Sequence, residues 1–293
     1  MKTLNILGAG RLGQTLAHLW HNTQVLTIQA LANRTLESAQ RAQAFISTGQ
    51  LFTLDQIEAM PQADLWLIAC PDDQLKIYCE RLAATQNLTH SLVFHCSGAL
   101  TAQEVLASAK AQGASIASIH PIKSFAQPQL AVSTFAGTYC GMEGDAQALE
   151  VLVPLFTKLS AHTFIIKAEA KTLYHAASVI ACNYLVALQE LALQTYAQAG
   201  VERTQALAIL QPIVTTTVQT MFQLDTSKAL TGPIARGDTQ TVAKQLTALN
   251  AWNPDYAGLY QSLGQIALQL TRKQHNLEAS SLAVLEQLLT ARP

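Results

Sequence analysis

The sequence predicts an α/β fold in which a doubly wound, mostly parallel sheet is followed by an all-α C-terminal domain. Up to residue 167, short apolar runs rich in β-branched residues alternate with helical stretches, a pattern typical of a parallel sheet with helices on both faces. From residue 168 onward, apolar residues recur at helical spacing and strand-like runs cease. The predicted domains are therefore residues 1–167 and 168–293.

Each predicted element follows from one local pattern. The strands are apolar runs of strand length, at residues 3–8, 25–32, 64–70, 91–97, 115–120, 135–142 and 163–167. Helices between several of them are predicted at residues 11–22, 35–47 and 101–112. The C-terminal helices are predicted at residues 168–199, 203–223, 239–251, 254–274 and 276–290, with Gly200 ending the first, Pro212 kinking the second and Pro254 opening the fourth.

Composition narrows the classes of partner. The chain has 293 residues, of which 49% are hydrophobic and 13% charged, against about 25% charged in a typical globular protein. This favours an oligomer that buries further apolar surface. The net charge of −1 and the scattered Lys and Arg residues argue against a nucleic-acid partner.

Targeting, metal and membrane signals are weak. The N-terminus runs directly into a strand and a glycine loop, which predicts a cytoplasmic protein. The five cysteines show neither a CxxC pair nor zinc-type spacing, so we expect buried free thiols and no metal. The most apolar stretch, residues 172–193, contains several polar residues and is interpreted as a core helix, not as a membrane span.

The segment ILGAGRLGQTLAHLW follows the first strand and opens the first helix. Gly8, Gly10 and Gly13 have the GxGxxG spacing, with Arg11 and Leu12 between them. Gly8 permits a tight turn, Gly10 lets the backbone approach a pyrophosphate, and Gly13 allows close packing of helix on sheet. The pattern predicts a Rossmann-type dinucleotide-binding site.

The end of the second predicted strand distinguishes between the two nicotinamide cofactors. NAD sites usually place an acidic residue there to bind the ribose hydroxyls, but this chain has Asn33, Arg34 and Thr35 and no acid until Glu37. A cation beside hydroxyl and amide groups suits a 2′-phosphate, so the predicted cofactor is NADP. The alternative is that Arg34 is a solvated residue and Thr35 a helix cap.

The segment ACPDDQL follows the strand at residues 64–70. Ligands lie at the carboxyl ends of strands in such sheets, so we expect Cys70 and Pro71 to border the nicotinamide side. Asp72 and Asp73 are interpreted as helix-cap residues.

Polar side chains also follow the next two predicted strands. FHCSGAL places His95 and Ser97 at one carboxyl end, and SIHPIKSF places His120 and Lys123 at the other. Ser97, His120 and Lys123 are therefore candidates for substrate binding.

The segment KTLYHAASVIACNYL opens the helical domain and contains three candidate catalytic residues. Lys171, His175 and Asn183 fall within about a third of the circumference of a regular helix. Hydride transfer to a carbonyl or imine needs a proton donor, and histidine titrates in the required range. The alternative for His175 is a core histidine.

The loop LTGPIARGD, residues 230–238, interrupts the helical half. Gly232 and Pro233 end one helix, and Asp238 suits the N-cap of the next. Arg236 is left without a structural reason and is a candidate anchor for an anionic substrate or the cofactor. A surface or interface salt bridge is the alternative.

In this order, the glycine loop, ACPDDQL, HCSGAL, HPIKSF, YHAASVIACNYL and LTGPIARGD resemble a bacterial family of Rossmann-like oxidoreductases whose C-terminal half is a domain of unknown function. The layout is more distantly similar to pyrroline-5-carboxylate reductase, ketopantoate reductase, 3-hydroxyacid and prephenate dehydrogenases, and deazaflavin-dependent NADP reductases. His175 and Asn183 look like the Lys and Asn of the hydroxyacid enzymes. Ser97 and His120 look like the serine and histidine of prephenate dehydrogenases, although Ser124 replaces the glycine that closes that motif.

The resemblance implies an NADP-dependent oxidoreductase that acts on a small, carboxylate-bearing carbonyl, imine or hydroxy compound in a cleft between the domains. It also implies a homodimer formed through the helical domain. Two alternatives are a non-catalytic NADP(H)-binding regulator and a prephenate-like dehydrogenase, because fold alone does not fix function.

Overall fold

The computed structural model describes residues 1–274 and 277–291, and it divides into two compact units, Met1–Leu185 and Val186–Pro293. The first unit therefore extends beyond the boundary predicted at residue 167. The physical reason is that Lys171 and Tyr174, which follow the last strand, make hydrogen bonds to side chains of the sheet.

The first unit is built on an eight-stranded sheet. Its strands are β1 (Thr3–Leu7), β2 (Thr27–Asn33), β3 (Gln50–Thr53), β4 (Leu65–Ile68), β5 (Leu92–His95), β6 (Ser115–Pro121), β7 (Tyr139–Gly144) and β8 (His162–Ile165). The order is β3-β2-β1-β4-β5-β6-β7-β8, and all neighbours are parallel except β6 and β7. The predicted α/β class with a mostly parallel sheet is confirmed.

The strand β3 was not predicted, because its apolar run consists of Leu51 and Phe52 alone. It lies at one edge of the sheet and pairs in parallel with β2 from Ala30 to Asn33. Tertiary pairing, not local propensity, makes this segment a strand.

The helices of the first unit are α1 (Arg11–Asn22), α2 (Leu36–Ile46), α3 (Asp72–Thr85), α4 (Ala102–Ala111), α5 (Pro128–Ser133), α6 (Ala146–Thr157) and α7 (Lys171–Ser178), with 3-10 turns at Leu54–Ala59 and Ala168–Ala170. Thr35 and Thr101 cap α2 and α4 through their side chains. A π-helical turn, Val179–Asn183, follows α7.

Both faces of the sheet are buried. In β4, Leu65 and Leu67 belong to one apolar cluster, whereas Trp66 and Ile68 belong to the other. This alternation is expected of a strand whose successive side chains point to opposite faces. The two-sided burial leaves the ends of the strands, where loops emerge, as the place for polar groups.

The second unit is helical. It contains most of α8 (Tyr184–Gln198), and α9 (Arg203–Leu224), α10 (Thr226–Ala229), α11 (Thr239–Trp252), α12 (Pro254–Gln274) and α13 (Ala279–Thr290). Pro212 lies inside α9, and α12 starts at Pro254 as predicted. The predicted start of the last helix, at residue 276, lies outside the described residues. The buried cluster of this unit is small and consists of Val242, Leu268, Leu285 and Leu289.

The apolar segment Ala168–Gln198 differs from its prediction as a core helix. By length and composition it could cross a membrane, and only 6% of its most apolar window is buried. Leu173, Ile180 and Val186 are 78%, 62% and 71% exposed. Within the single chain, these side chains are left largely uncovered.

The free cysteines follow the prediction in part. Cys79, Cys96 and Cys140 are buried and Cys70 is half-buried, but Cys182 is exposed because it lies in the uncovered π-helical turn. The described residues contain no group of three or more His, Cys, Asp or Glu side chains placed to hold a metal ion.

Candidate functional site

The turn between β1 and α1 needs its glycines for two different reasons. Gly8 has a φ of 87°, and a Cβ there would lie 2.7 Å from the Cys70 Sγ. A Cβ on Gly13 would lie 2.8 Å from the Gly8 carbonyl oxygen, so Gly13 permits close packing of α1 on the turn. A Cβ on Gly10 would meet no atom closer than 4.0 Å, which leaves the backbone at the start of α1 open to a ligand.

A cavity of about 630 Å³ lies beside this turn. Its lining contains seven of the predicted cofactor-binding residues: Gly8, Gly10, Asn33, Arg34, Thr35, Cys70 and Pro71. Arg11, Leu12 and Gly13 are not in the lining; Gly13 is buried under the turn and Arg11 is exposed. The carboxyl ends of β1, β2 and β4 therefore converge on one opening, as expected for a parallel sheet.

The end of the cavity beside β2 is rich in hydrogen-bond donors. Arg34 is exposed and makes no hydrogen bond or ion pair to the described residues. Thr35 caps α2 by accepting a hydrogen bond from the Ser38 N–H at 3.2 Å, so the cap alternative is correct for this residue. Asn33 is buried and donates to the Ser38 Oγ at 3.0 Å, while its Oδ1 has no partner.

The lining also contains residues that sequence reasoning did not assign to the cofactor, among them Ser38, Arg41 and Tyr78. Arg34, Ser38 and Arg41 are spaced by four and three residues, the spacing of one helix face, and this signal could have found them. Arg41 pairs with Glu37 of the same helix, and both side chains are well exposed. The acidic residue in the lining is Asp73, which belongs to α3 and not to the end of β2.

The Ser97 side chain makes hydrogen bonds to other groups of the protein. Its Oγ donates to the Asp72 Oδ2 at 2.9 Å and accepts from the backbone N–H groups of Ala99 and Leu100 at 3.2 and 3.1 Å. The hydroxyl thus fixes the turn after β5 and joins it to the start of α3. Asp72 is not the N-cap of α3, a position occupied by Pro71. Burial raises the pKa of the Cys70 thiol to about 12, so Cys70 lines the cavity as a neutral group.

His95 is fully buried at the end of β5. Its Nδ1 accepts a hydrogen bond from the Ser97 N–H at 3.1 Å. Burial, and then the positive charge of Lys171, lower the pKa of His95 to about 3. His95 is therefore a neutral part of the turn rather than a group that faces a ligand.

Lys171 occupies a different environment from the one the helical spacing predicts. Its side chain is 1% exposed and its Nζ donates to the Glu143 Oε1 at 2.8 Å and to the Ser118 hydroxyl. Glu143 Oε1 also accepts from the Ala102 N–H at 2.8 Å. Burial lowers the pKa of Lys171, and the hydrogen bond to Glu143 acts in the opposite direction. The ammonium group is enclosed in an ion pair, so Lys171 does not form the expected cluster with His175 and Asn183.

His120 and His175 face each other across Gly98. Their ring centroids are 5.8 Å apart. A Cβ on Gly98 would lie 2.5 Å from the His175 Cδ2 and 2.8 Å from the His120 Nε2. Because Gly98 has no side chain, the two half-buried imidazoles pack directly against its backbone; we call the partly exposed side of this ring pair, beside Gly98, the Gly98 crevice.

His120 is held from its other side by Tyr174, a residue that sequence reasoning missed. The Tyr174 hydroxyl lies 2.9 Å from the His120 Nδ1. Burial lowers the pKa of His120 to about 4, with smaller contributions from His175 and Lys171. The only sequence signal for Tyr174 was its place between Lys171 and His175.

The remaining predicted residues are more exposed. Asn183 ends the π-helical turn and is exposed; this turn changes the helical phase assumed when His175 and Asn183 were placed on one face. Lys123 donates from its Nζ to the Thr134 carbonyl oxygen at 2.8 Å. In the second unit, Arg236 is exposed in a loop flanked by Gly232 and Gly237, both with positive φ, and Asp238 caps α11 as predicted.

Comparison with known proteins agrees with this architecture. A Rossmann-like domain model matches residues 2–121, and the domain of unknown function DUF2520 matches residues 138–267. The comparison with curated proteins gave no significant match.

Several solved structures share the fold. Protein TM1727 from Thermotoga maritima is 23% identical with a TM-score of 0.74, over 93% of this chain and 100% of that one. BF3122 from Bacteroides fragilis, described as a candidate NADP oxidoreductase, is 19% identical with a TM-score of 0.70, over 94% and 98%. A reductive aminase from Aspergillus terreus, in complex with NADPH and ethyl-5-oxohexanoate, is 16% identical with a TM-score of 0.61, over 100% and 95%.

The glycine turn, the mostly parallel sheet and the helical second half thus occur together with both domain models. The chain therefore combines a Rossmann-like domain with a C-terminal DUF2520 domain, the layout that its motifs indicated.

Proposed function

We propose that this protein is an NADP-dependent oxidoreductase that transfers a hydride to or from a small, carboxylate-bearing carbonyl, imine or hydroxy compound. The observation that carries the proposal is the cavity beside the glycine turn, which continues into a donor-rich end formed by Arg34, Ser38 and Arg41. Proteins of the same fold include one that binds NADPH together with a carbonyl compound.

The residues of the cavity fit a dinucleotide phosphate. The open backbone at Gly10 and the N-terminus of α1 suit a pyrophosphate. Arg34 and Arg41 supply charge for a 2′-phosphate, and the unpartnered Oδ1 of the buried Asn33 can accept a hydrogen bond from a ribose hydroxyl. When bound, the nicotinamide supplies or accepts the hydride.

The Gly98 crevice is the proposed place for the reacting group. His175 is half-buried beside it and makes no hydrogen bond to the described residues, so its ring is available as proton donor or acceptor. Lys171, by contrast, is committed to Glu143. Lys123 and Asn183 stay predicted substrate or catalytic contacts, and their removal should lower the affinity for substrate without changing the affinity for NADPH. Arg236 stays a predicted anchor for an anionic substrate or the cofactor, so Arg236→Ala should lower the affinity for one of the two.

Calorimetric titration with NADPH and NADH tests the cofactor assignment. We expect the wild-type protein to prefer NADPH, and Arg34→Ala and Arg41→Ala each to weaken NADPH binding by about tenfold, since a hydrogen bond to a charged group is worth about 1.5–3 kcal/mol. NADH binding should be nearly unchanged. Lys158→Ala removes an exposed cation outside the cavity and is the matched control. Equal affinity of the wild type for both nucleotides would exclude the NADP assignment.

We also propose that two copies of the chain associate through the helical half. The support is the uncovered apolar surface of Ala168–Gln198 and the small buried cluster of the second unit. That unit also has an apolar cavity of about 510 Å³, lined in part by Trp252, Tyr256 and Tyr260. Sedimentation of the purified protein at twice the mass of one chain is the expected result. The cytoplasmic location stays a prediction from the sequence.

A further inference from the structure

The contact between Tyr174 and His120 has a direction that chemistry can assign. The Tyr174 hydroxyl oxygen and the His120 Nδ1 lie 2.9 Å apart, and either the phenol or the imidazole can be the donor. An imidazole nitrogen is a much stronger base than a phenol oxygen, which favours donation from the hydroxyl to the Nδ1. Burial raises the pKa of Tyr174 to about 12, so its hydroxyl keeps the proton that it would donate.

The opposite arrangement, in which the His120 Nδ1 donates to Tyr174, would leave one hydrogen-bond donor without an acceptor. If the His120 Nδ1 were the donor, the Tyr174 proton would have no acceptor among the described residues, since His120 is the hydrogen-bond partner that the structure gives this hydroxyl. A half-buried donor without an acceptor carries a desolvation cost. The backbone of Gly141 acts to lower the pKa of Tyr174, against the larger effect of burial.

A neutral imidazole carries one hydrogen. If Nδ1 accepts from Tyr174, the hydrogen is on Nε2, at the edge of the His120 ring that lies beside Gly98. This Nε2 has no hydrogen-bond partner among the described residues and is not one of the fully buried polar atoms. It is therefore free to donate to a ligand in the crevice.

We propose that Tyr174 is a positioning residue that holds His120 as a neutral imidazole with its hydrogen on Nε2, so that His120 donates a hydrogen bond to the carbonyl oxygen or imine nitrogen of the substrate. This inference rests on the proposed function. His120 polarises the reacting double bond without giving up its proton, and the proton that balances the hydride comes from His175. The low pKa of His120 suits this role, because the ring stays neutral near pH 7.

Two glycines make this arrangement possible, which argues that it is more than a chance contact. A Cβ on Gly141, which pairs with His120 across β6 and β7, would lie 2.7 Å from the Tyr174 hydroxyl. A Cβ on Gly98 would lie 2.8 Å from the His120 Nε2. One glycine admits the phenol behind the imidazole, and the other lets the front of the imidazole pack against the backbone at Gly98.

The decisive measurement is ¹⁵N NMR of the histidine rings in the ligand-free protein, which reports the tautomer directly. The protein has eight histidines, and His120→Gln identifies the signal of His120. We expect the Nε2–H tautomer in the wild type, and its loss or mixing with the Nδ1–H form in Tyr174→Phe. Tyr139→Phe is the matched control, because Tyr139 is an exposed tyrosine of neighbouring β7 that contacts His162 instead.

Turnover supplies the second readout, with NADPH oxidation followed on pyruvate, glyoxylate and 1-pyrroline-2-carboxylate. On whichever compound the wild type reduces, Tyr174→Phe should lower kcat at least tenfold and leave NADPH affinity within twofold. An Nδ1–H tautomer in the wild type, an unchanged tautomer in Tyr174→Phe, or an unchanged kcat would overturn the proposal. Failure of the wild type to bind NADPH would instead refute the proposed function, and the tautomer result would still decide the Tyr174–His120 assignment.

Discussion

At the residue scale, His95 and His120 both lie at the carboxyl ends of neighbouring strands, and the sequence analysis named His120 alone as a candidate for substrate binding. The structure separates them. His95 is fully buried and is bonded to the Ser97 backbone, whereas His120 keeps its Nε2 edge toward the Gly98 crevice. Both imidazoles are neutral near pH 7, because burial lowers the pKa of each from 6.5, to about 3 for His95 and about 4 for His120.

The lowered pKa of His120 predicts how stability depends on pH. Between pH 6.5 and about 4 the unfolded chain binds a proton on this residue and the folded chain does not. The free energy of unfolding should therefore be highest above pH 6.5 and fall as the pH is lowered, by up to about 1.4 kcal/mol per pH unit for one proton.

His120→Asn should remove the contribution of His120 to the pH dependence of the free energy of unfolding. The contribution of His95 should remain. Urea unfolding between pH 7 and pH 4 measures the difference between wild type and variant. Parallel stability curves would contradict the lowered pKa of His120.

Lys171 makes a second prediction, because its ion pair is buried. Lys171→Met leaves the Glu143 carboxylate buried without its cation, which should lower the free energy of unfolding by about 3–5 kcal/mol. Adding Glu143→Gln removes the stranded charge and still provides an acceptor for the Ala102 N–H, so the double variant should be more stable than Lys171→Met alone.

Urea titrations measure these differences. Lys110→Met is the control, since it breaks the exposed pair with Asp145 and should cost less than about 1 kcal/mol. A loss as small in Lys171→Met as in this control would show that Lys171 is not held in the ion pair.

At the element scale, the strand–turn–helix unit β1–α1 combines a folding requirement with a binding requirement. Gly8 and Gly13 are needed because a side chain at either position would collide with protein atoms. Gly10 has free space around it and an ordinary negative φ of −77°, so the fold itself does not require a glycine there. A ligand that approaches the backbone closely would require a glycine at this position.

This distinction predicts opposite phenotypes for two alanine substitutions. Gly8→Ala should destabilise the protein by about 1–3 kcal/mol, because it combines a positive φ with a clash at Cys70. Gly10→Ala should keep the stability of the wild type and lose at least tenfold in NADPH affinity. Thermal unfolding and calorimetry separate the two effects. Full NADPH affinity in Gly10→Ala would indicate that no pyrophosphate lies against this turn.

The π-helical turn Val179–Asn183 shows the limit of periodicity at the same scale. The sequence AASVIACN continues a helical pattern. Nothing in its composition marks the change from the i→i+4 hydrogen bonds of an α-helix to the i→i+5 hydrogen bonds of a π-helix. The extra residue alters the direction of Asn183 relative to His175. Residues before and after such a turn therefore do not share the helix face that regular periodicity assigns to them.

At the scale of the whole molecule, apolar surface is distributed unevenly. The sheet of the first unit has buried clusters on both faces, whereas the helical unit buries four residues in its cluster. The segment Ala168–Gln198 is apolar in composition, and only 6% of its most apolar window is buried. A folded chain with this surface is expected to associate.

The homodimer proposal therefore predicts a change in mass. Leu173→Lys and Val186→Lys place a charge on the most exposed apolar positions of the segment and should convert the dimer to monomer in sedimentation equilibrium. Ile77→Lys is the control, because Ile77 is 54% exposed on α3 of the first unit and should leave the dimer intact. A wild-type protein that sediments as a monomer would refute the proposal.

The sequence by itself determined the elements and the class of the fold. Local patterns specified the strand–turn–helix at Gly8–Gly13, the seven strands other than β3 and the caps at Thr35 and Asp238, because each depends on neighbouring residues and a backbone geometry that short motifs encode. The predicted cofactor cavity also follows from topology, since parallel strands bring their carboxyl ends to one edge.

Only the tertiary structure decided what each polar side chain does. Lys171 and His175 lie four residues apart in the sequence, yet one is enclosed by Glu143 and Ser118 and the other borders the Gly98 crevice. The hydrogen-bond partner of Tyr174 is His120, which lies more than fifty residues earlier in the sequence. Burial, charge and hydrogen-bond partners set the protonation and availability of a side chain, and those partners come from distant segments that local periodicity does not specify.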